Sequence, residues 1–292
     1  MKAIEINSLS KTFKGKKFAT VEALRNVSLA IEPGEVFGFL GPNGAGKSTT
    51  IKILTGQIRP TGGEARIRGL SSADPAARRQ VGYLPENPAF YDFLSAREYL
   101  RFVGRTFAMD EPAIVAATSR VLQRLDLHNA ADRPIRGFSK GMVQRLGLAQ
   151  ALLHDPEVYI LDEPMSGLDP MGRALVKEII RELKRQGKTV FFSTHITADI
   201  EALCDRIGII VKGQLRAIEH VPALLSRQLD GYRVRYIDAL GQPQVRQVAT
   251  AELPEQLALC LAAGATLDGI DPCRRDLEAY FLEVVESTSA PA

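Results

Sequence analysis

Apolar runs of about five residues recur along the chain and alternate with longer stretches of mixed polarity. These runs predict buried strands at Val36–Leu40, 157–161, 189–193 and 207–211. The residues that follow the first run, Lys47–Leu54, have a helical pattern. Strands that alternate with helices predict a largely parallel sheet with helices on both faces, which is the α/β class.

A second helix, about seventeen residues long, is predicted after the strand at 157–161. Pro170 stands at its first position and Gly187 just beyond its end, where each residue type is favoured. Three further segments predict antiparallel strands that form a smaller sheet: Ala3–Asn7, Val27–Ile31 and Glu64–Ile67.

The region 87–137 predicts an α-helical subdomain. Ser95 and Glu98 form a capping box at the start of one helix. Asp110 and Pro112 open a second helix, which should reach about Leu125. The start of the region carries aromatic residues that either join the core or stay exposed: Phe90, Tyr91 and Phe93.

The composition changes near His220, because no lysine follows Lys212. We therefore predict two domains, a large one at 1–220 and an α+β appendage at 221–292. The appendage is predicted to contain helices at Val221–Arg227, Glu252–Ala263 and Arg274–Glu286. Its strands are predicted at Gly231–Ile237 and Val245–Val248, and a frayed tail at Ser287–Ala292. It contains no cluster of residues with catalytic character.

The charge of the chain argues against nucleic-acid binding. The net charge is only +3, which is too small for that class of protein. Residues 221–292 contain six arginines, no lysine and ten acidic residues, so their net charge is −4 and that of the first 220 residues is +7. A positive large domain suits an anionic ligand.

The apolar runs are too short to span a membrane. The longest candidate, Leu257–Ala263, is about a third of the roughly 20 residues required. Residues Met1–Glu5 include an early acidic residue, so we expect no signal peptide. The cysteines at 204, 260 and 273 match neither a metal site nor a disulfide framework. We therefore expect an intracellular protein.

The octet Gly41–Ser48 matches the phosphate-loop template G-x-x-x-x-G-K-[ST] at every fixed position. Its glycines let backbone N–H groups point at phosphate oxygens, and the following helix adds positive charge at its N-terminus. Lys47 is expected to reach the β- and γ-phosphates, and the Ser48 hydroxyl to bind Mg²⁺. A chance glycine-rich turn is the alternative, but the flanking strand and helix argue against it.

The run Val158–Glu163 is an apolar strand that ends in two carboxylates. Asp162 is placed to hold Mg²⁺ through its water shell. Glu163 is placed to orient, or to accept a proton from, an attacking water. The alternative is that these two residues only form an acidic turn. The phosphate loop upstream favours a catalytic role for them.

The segment Gly137–Arg145 resembles the signature sequence, usually LSGGQ, of ATP-binding cassette (ABC) proteins. It reads Phe-Ser-Lys-Gly-Met at the signature positions, and it keeps Ser139 and Gly141. Ser166–Asp169 resembles the D-loop of the family, and His195 resembles its switch histidine. With the two motifs above, the resemblance covers about residues 1–220.

The resemblance implies a phosphate-loop NTPase fold with an antiparallel β subdomain, a helical subdomain and this small appendage. It implies ATP and Mg²⁺ as cofactors, with Glu163 and His195 as catalytic residues. Ser139 and Gly141 would contact ATP bound to a second cassette, which is either another copy of this chain or a different cassette chain. The ATP-binding positions are then Phe13, which stacks on adenine, and Gly41, Pro42, Asn43, Gly44, Ala45, Gly46, Lys47, Ser48 and Thr49.

One position departs from the family pattern. Glu86 stands where the family has a glutamine after the strand Val81–Leu84. An ionised carboxylate can approach Mg²⁺ or its water, but it donates no hydrogen bond. The sequence Tyr-Leu-Pro-Glu at this point resembles a branch of bacterial cassettes that drive multi-spanning export permeases.

The resemblance therefore implies an ATP-hydrolysing subunit on the cytoplasmic side of the plasma or inner membrane, driving a separate permease that is an exporter. The helical subdomain would contact that permease, and the aromatic residues at its start could line the contact. Two alternatives stay open. One is a soluble regulatory cassette, although such proteins usually carry two cassettes in one chain. The other is a binding module without turnover, against which Glu163 and His195 argue.

Overall fold

The computed structural model describes residues 1–14, 20–227, 229–274 and 277–287. It divides the chain into two compact units, Met1–Ile218 and Glu219–Ala292. The described strands are β1 (Ile4–Lys14), β2 (Thr20–Ile31), β3 (Val36–Leu40), β4 (Gly62–Ile67), β5 (Leu70–Ser71), β6 (Val81–Leu84), β7 (Val158–Asp162), β8 (Thr189–Thr194), β9 (Arg206–Val211), β10 (Gln214–His220), β11 (Leu229–Ile237), β12 (Pro243–Val248) and β13 (Thr266–Arg274).

The helices in the described residues connect or follow these strands. They are α1 (Lys47–Leu54), α2 (Pro75–Arg78), α3 (Ala96–Thr106), α4 (Glu111–Arg124), α5 (Lys140–Leu152), α6 (Pro170–Arg185), α7 (Thr197–Leu203), α8 (Val221–Arg227), α9 (Leu253–Ala262) and α10 (Leu277–Ser287). None of them is both long and apolar enough to cross a membrane.

The first unit is built on a sheet with the strand order β10-β9-β3-β8-β7-β6. The strands from β9 to β6 run parallel to their neighbours. Strands β3, β7 and β8 are buried along their whole length, with Phe37, Phe39 and Phe191 packed ring against ring between them. The predicted α/β class with a mostly parallel sheet is confirmed. Because parallel strands end at the same edge, the residues after β3, β7 and β8 lie close together.

The predicted smaller sheet of antiparallel strands is present, and its strand order is β2-β1-β4-β5. Its first two strands are longer than Ala3–Asn7 and Val27–Ile31 suggest. Ser8 and Asn26 adopt left-handed backbone conformations, with φ of 49° and 51°, and the register between β1 and β2 shifts near them. Such bulges interrupt the alternation of apolar and polar residues, so the pattern hides the continuing strands.

The helical subdomain begins as its capping residues predict. The Ser95 hydroxyl accepts a hydrogen bond from the Glu98 N–H, and the Glu98 carboxylate accepts one from the Ser95 N–H. Asp110 caps α4 through the Ala113 N–H at 2.8 Å. Short 3₁₀ turns at His128–Ala130 and Ile135–Gly137 then lead into α5.

The second unit contains a sheet with the order β12-β11-β13. The two strands predicted in the appendage are present as β11 and β12 and pair with each other, but the prediction missed β13, and the helix expected at Arg274 begins at Leu277. Gly269 and Pro272 weaken the strand pattern of β13. A proline is tolerated there because β13 lies at the edge of the sheet. The predicted frayed tail lies outside the described residues except for Ser287, which ends α10.

Candidate active site

The phosphate loop connects β3 to α1, as the sequence predicts. A Cβ atom at Gly41 would lie 2.4 Å from the Ile210 carbonyl oxygen. One at Gly46 would lie 2.8 Å from the Ala23 carbonyl oxygen, and Gly46 has a φ of 113°. Both glycines are therefore required for the loop to pack against its neighbouring strands.

The loop lines a cavity of about 350 Å³. Glu86, which follows β6, and Glu163, which follows β7, face the same cavity. Ala23 of β2 also lines the cavity, although no motif marks this residue in the sequence. The remaining lining residues all belong to the loop and the start of α1: Pro42, Asn43, Gly44, Ala45, Gly46, Lys47, Ser48 and Thr49.

The Lys47 ammonium is buried within the loop. Its Nζ donates a hydrogen bond to the Gly41 carbonyl at 2.6 Å and lies 3.9 Å from Glu163 Oε1. Burial lowers the pKa of Lys47, and the carboxylates of Glu163, Asp162 and Glu86 oppose that shift. The site thus holds a cation among three carboxylates.

The two carboxylates at the end of β7 have different environments. Asp162 is the last residue of the strand and is buried, whereas Glu163 follows it with a left-handed φ of 49°. A glutamate in this conformation is strained, and such strain is common at functional sites. The turn directs Glu163 toward Lys47 and places His195 Nδ1 3.0 Å from Glu163 Oε1.

Two residues that the sequence reasoning did not assign to the site hold this turn. The Ser193 hydroxyl, on β8, accepts a hydrogen bond from the Glu163 N–H at 3.0 Å. The Gln144 side-chain amide, on α5, donates to the carbonyl oxygens of Glu163 and Pro164 at 3.4 and 3.3 Å. Both belong to segments already singled out, but their partners depend on the tertiary fold.

Six predicted site residues lie outside the lining of this cavity: Phe13, Gly41, Ser139, Gly141, Asp162 and His195. Ser139 is exposed and caps α5 through the Met142 N–H, and Gly141 lies in the first turn of that helix. Phe13 lies near the end of β1, partly exposed, with the Lys11 ammonium 5.1 Å from its ring centroid. Neither Ser139 nor Gly141 therefore lines the cavity of its own chain.

The oxygen atoms that could hold Mg²⁺ belong to Ser48, Asp162 and Glu86. Hydroxyl and carboxylate oxygens are the ligands that this cation prefers. Within the described residues, no group of three or more histidine, cysteine, aspartate or glutamate side chains could hold a metal ion alone. The residues present fit a cation that takes its other ligands from phosphate and water, as Mg²⁺ does at nucleotide sites.

The chain is similar in sequence to known relatives and in fold to solved structures. Residues 24–166 match the family model described as ABC transporter. The uncharacterized ABC transporter ATP-binding protein YxlF of Bacillus subtilis is 37% identical over 97% of this chain and 100% of its own length. An uncharacterized ABC transporter ATP-binding protein of Synechocystis is 48% identical over 73% of this chain. The chain spans 61% of that relative's length and 63% of a similar Nostoc protein's.

A solved dimer of the ATP-binding cassette MJ0796, bound to ADP and Pi in a post-hydrolysis state, superimposes with a TM-score of 0.70. It is 26% identical and covers 75% of this chain and 98% of its own. The structure of an ATP-binding subunit of an ABC transporter gives the same TM-score at 30% identity, over 88% of this chain and 99% of its own. The resemblance seen in the motifs is confirmed: the chain belongs to the ABC transporter ATP-binding proteins and contains an ABC ATPase domain.

Proposed function

We propose that this ATPase domain binds MgATP in the phosphate-loop cavity and uses its hydrolysis to drive a separate export permease. The observation that carries the catalytic part is a chain of contacts that joins three groups beside the phosphate loop. Lys47 lies within the loop, Glu163 lies 3.9 Å from its ammonium, and His195 lies within hydrogen-bond distance of the Glu163 carboxylate. Each group lies in the connection that follows a different parallel strand, β3, β7 or β8.

These groups divide the work of hydrolysis. Lys47 and the loop N–H groups neutralise charge on the β- and γ-phosphates as the transition state forms. Glu163 orients the attacking water and accepts its proton. His195 holds the Glu163 carboxylate and contacts the γ-phosphate, which keeps the water in line.

Ser48 and Asp162 would hold Mg²⁺, with Glu86 close enough to the cavity to reach the cation or its water. Bound Mg²⁺ would offset the negative charge that the triphosphate brings beside these carboxylates. Phe13 would contact the adenine ring, which lies at the β1–β2 side of the site in this proposal.

We propose that the working unit is a dimer of cassettes. Ser139 and Gly141 do not line the cavity of their own chain, which supports a signature sequence that contacts ATP bound to a second copy. The similar MJ0796 cassette was solved as a dimer, which supports this assembly. Two ATP molecules would lie between the copies, and loss of the shared γ-phosphate would let the copies separate.

Glu163→Gln tests the catalytic and dimer proposals together. The variant keeps the shape of the side chain but loses the base, so hydrolysis should slow roughly 100-fold or more. It should form a dimer with MgATP and stay a monomer without it, as measured by light scattering. Adding Lys47→Ala to the same chain is the matched control, which should remain a monomer. A monomer of Glu163→Gln in MgATP with the permease present would contradict the dimer, and rapid hydrolysis would contradict the role of Glu163.

The helical subdomain carries an exposed aromatic patch that supports a permease partner. Tyr91, Phe93 and Phe102 are 57%, 68% and 49% exposed. The Tyr91 ring centroid lies 6.0 Å from that of Phe93 and 6.1 Å from that of Phe102, so the three form one patch. Phe90 differs, because it packs edge-on against Tyr99. Clustered aromatic residues on a surface are typical of binding sites.

Co-purification from membranes with a co-expressed multi-spanning protein from a neighbouring reading frame tests this partner. Serine at all three patch positions should abolish capture, whereas Val115→Ser, another exposed apolar residue of the same subdomain, should not. Unchanged capture by the triple variant would contradict docking at the patch, and no capture by the native chain would favour a regulatory cassette. In proteoliposomes with the cassette outside, ATP should drive uptake of cargo if the permease exports.

A further inference from the structure

A single buried hydroxyl connects the two carboxylates at the end of β7. Ser193 lies on β8 directly opposite Asp162 in the parallel ladder and has no exposed surface. Its Oγ donates a hydrogen bond to Asp162 Oδ1 at 2.6 Å and accepts one from the Glu163 N–H at 3.0 Å. Donor and acceptor roles are thus both filled, one by each of the adjacent acidic residues.

These contacts fix the orientation of the Asp162 carboxylate and the backbone conformation at Glu163. The bond to Asp162 sets the orientation of its carboxylate and leaves Oδ2 as the oxygen that this hydroxyl does not engage. Such bonds to a carboxylate are short and strong. The bond to Glu163 holds the N–H of a residue whose φ of 49° is unfavourable for a glutamate. The same oxygen therefore sets the relative placement of a metal-binding group and a water-orienting group.

We infer that Ser193 is a positioning residue of the ATPase site, which couples the carboxylate of Asp162 to the turn that aims Glu163 at Lys47. This inference rests on the roles proposed above for Asp162 and Glu163. Ser193 does not line the nucleotide cavity, so it acts through these two residues. His195 follows directly after the end of the same strand. The two hydrogen bonds of Ser193 and the contact of His195 with Glu163 therefore all depend on the position of β8.

Removing the hydroxyl should leave two buried polar groups without their partner, the Asp162 Oδ1 atom and the Glu163 N–H. The Asp162 carboxylate would then be free to rotate, and the turn could relax away from the left-handed conformation. Both the affinity for Mg²⁺ and the rate of hydrolysis should fall. Binding of ATP without Mg²⁺ should not change, because the phosphate loop keeps its own contacts.

Ser193→Ala is the test, and Thr189→Val is its matched control. Thr189 lies on the same face of β8, four residues earlier, and its buried hydroxyl accepts a hydrogen bond from the Gly34 N–H at 3.0 Å. Each substitution removes one buried hydroxyl from the same strand at little change in volume. We expect kcat to fall roughly 10- to 100-fold in Ser193→Ala and less than about threefold in Thr189→Val.

Nucleotide binding gives a second measurement that does not depend on turnover. A fluorescent ATP analogue should bind Ser193→Ala in EDTA with a Kd within about twofold of the native value. In a Mg²⁺ titration of analogue binding, the half-saturating Mg²⁺ concentration should rise at least about threefold. Ser193→Thr keeps the hydroxyl, so its kcat and its Mg²⁺ dependence should be close to native, unlike those of Ser193→Ala. A purely structural role of the serine would not require this recovery.

The outcomes separate this inference from the proposed site. If Glu163→Gln abolishes hydrolysis while Ser193→Ala keeps native kcat and Mg²⁺ dependence, Ser193 is not a positioning residue. Equal losses in Ser193→Ala and Thr189→Val would also overturn the inference. Native activity in Glu163→Gln would instead overturn the catalytic assignment.

If Ser193→Ala does not fold, Ser193→Cys keeps the shape with a weaker donor, and native kcat and Mg²⁺ dependence in that variant would refute the inference.

Discussion

The two units of the chain bury their apolar residues to different extents. In the first unit, β3, β7 and β8 are buried at every position. In the second, β12 buries only Val248, and α9 has no buried residue although most of its side chains are apolar. Side chains that are packed on all sides keep one arrangement, whereas exposed ones exchange rotamers freely. The buried strands of the first unit can therefore hold the side chains at the edge of their sheet in fixed positions, as hydrolysis requires.

Truncating one large side chain in each unit should give the largest contrast. Phe191 is fully buried on β8, and Phe191→Ala should lower the free energy of unfolding of the first unit by about 3–5 kcal/mol. Leu259 on α9 is 55% exposed, so Leu259→Ala should change the stability of the second unit by less than about 0.5 kcal/mol. Differential scanning calorimetry of both variants measures this. Similar losses in the two variants would show that α9 is covered in solution.

The next largest effect should be a loss of ATP affinity, which involves only the first unit. Lys47→Ala removes the buried ammonium from the phosphate loop, so affinity for ATP should fall roughly 100- to 1000-fold. Isothermal titration with ATP measures the change, and Lys52→Ala, an exposed lysine of the same helix, is the control. Hydrolysis by Lys47→Ala at the native rate would remove the loop from the proposed mechanism.

Burial should also make the stability of the first unit depend on pH. His154 stacks on Phe107 with ring centroids 3.6 Å apart, and burial lowers its pKa from 6.5 to about 4. Between these values the unfolded chain binds more protons than the folded one. The free energy of unfolding should therefore fall as the pH drops from 6.5 toward 4, by at most about 3 kcal/mol, and this group should have no effect above pH 7.

The measurement is urea unfolding of the native chain and of His154→Phe at pH 7.5 and pH 5. The variant keeps an aromatic ring beside Phe107 but cannot titrate, so it should lose less stability between the two pH values than the native chain does. An equal loss in both proteins would show that His154 is not responsible.

The smallest effect should follow from removing the appendage. Truncation after His220 keeps the phosphate loop, both carboxylates of β7 and His195, so the Kd for ATP should change by less than about twofold. Fluorescence titration measures the Kd, and circular dichroism checks the fold. Loss of binding in a truncated chain that remains folded would mean that the boundary proposed between 1–220 and 221–292 is misplaced.

The parts of the site that the sequence predicts are those formed by neighbours in the chain. The loop Gly41–Ser48 needs only its own glycines, lysine and helix start, so one short motif defines it. Asp162 and Glu163 likewise follow from the end of one apolar strand. The roles assigned to these residues, and to Phe13 and Glu86, stay predictions until they are measured.

The missed features depend on contacts between distant segments or on local exceptions to a pattern. The two partners of Ser193 follow from the register of β7 with β8, and the contact of Ala23 follows from where β2 passes the loop. Neither register nor packing is encoded in a short window of sequence. Strand β13 was missed for another reason, because Gly269 and Pro272 weaken a local signal that the pairing with β11 overrides.

The left-handed turn at Glu163 has a consequence for how this sequence can change. A glutamate there costs about 1 kcal/mol or more relative to glycine, which adopts that φ without penalty. Selection for thermal stability alone would therefore favour glycine at position 163. With the role proposed above for Glu163, selection for ATP turnover would reject glycine, because glycine has no carboxylate. Under that proposal the cassette keeps activity at position 163 at the expense of stability, and stabilising libraries of this chain should leave the residue fixed.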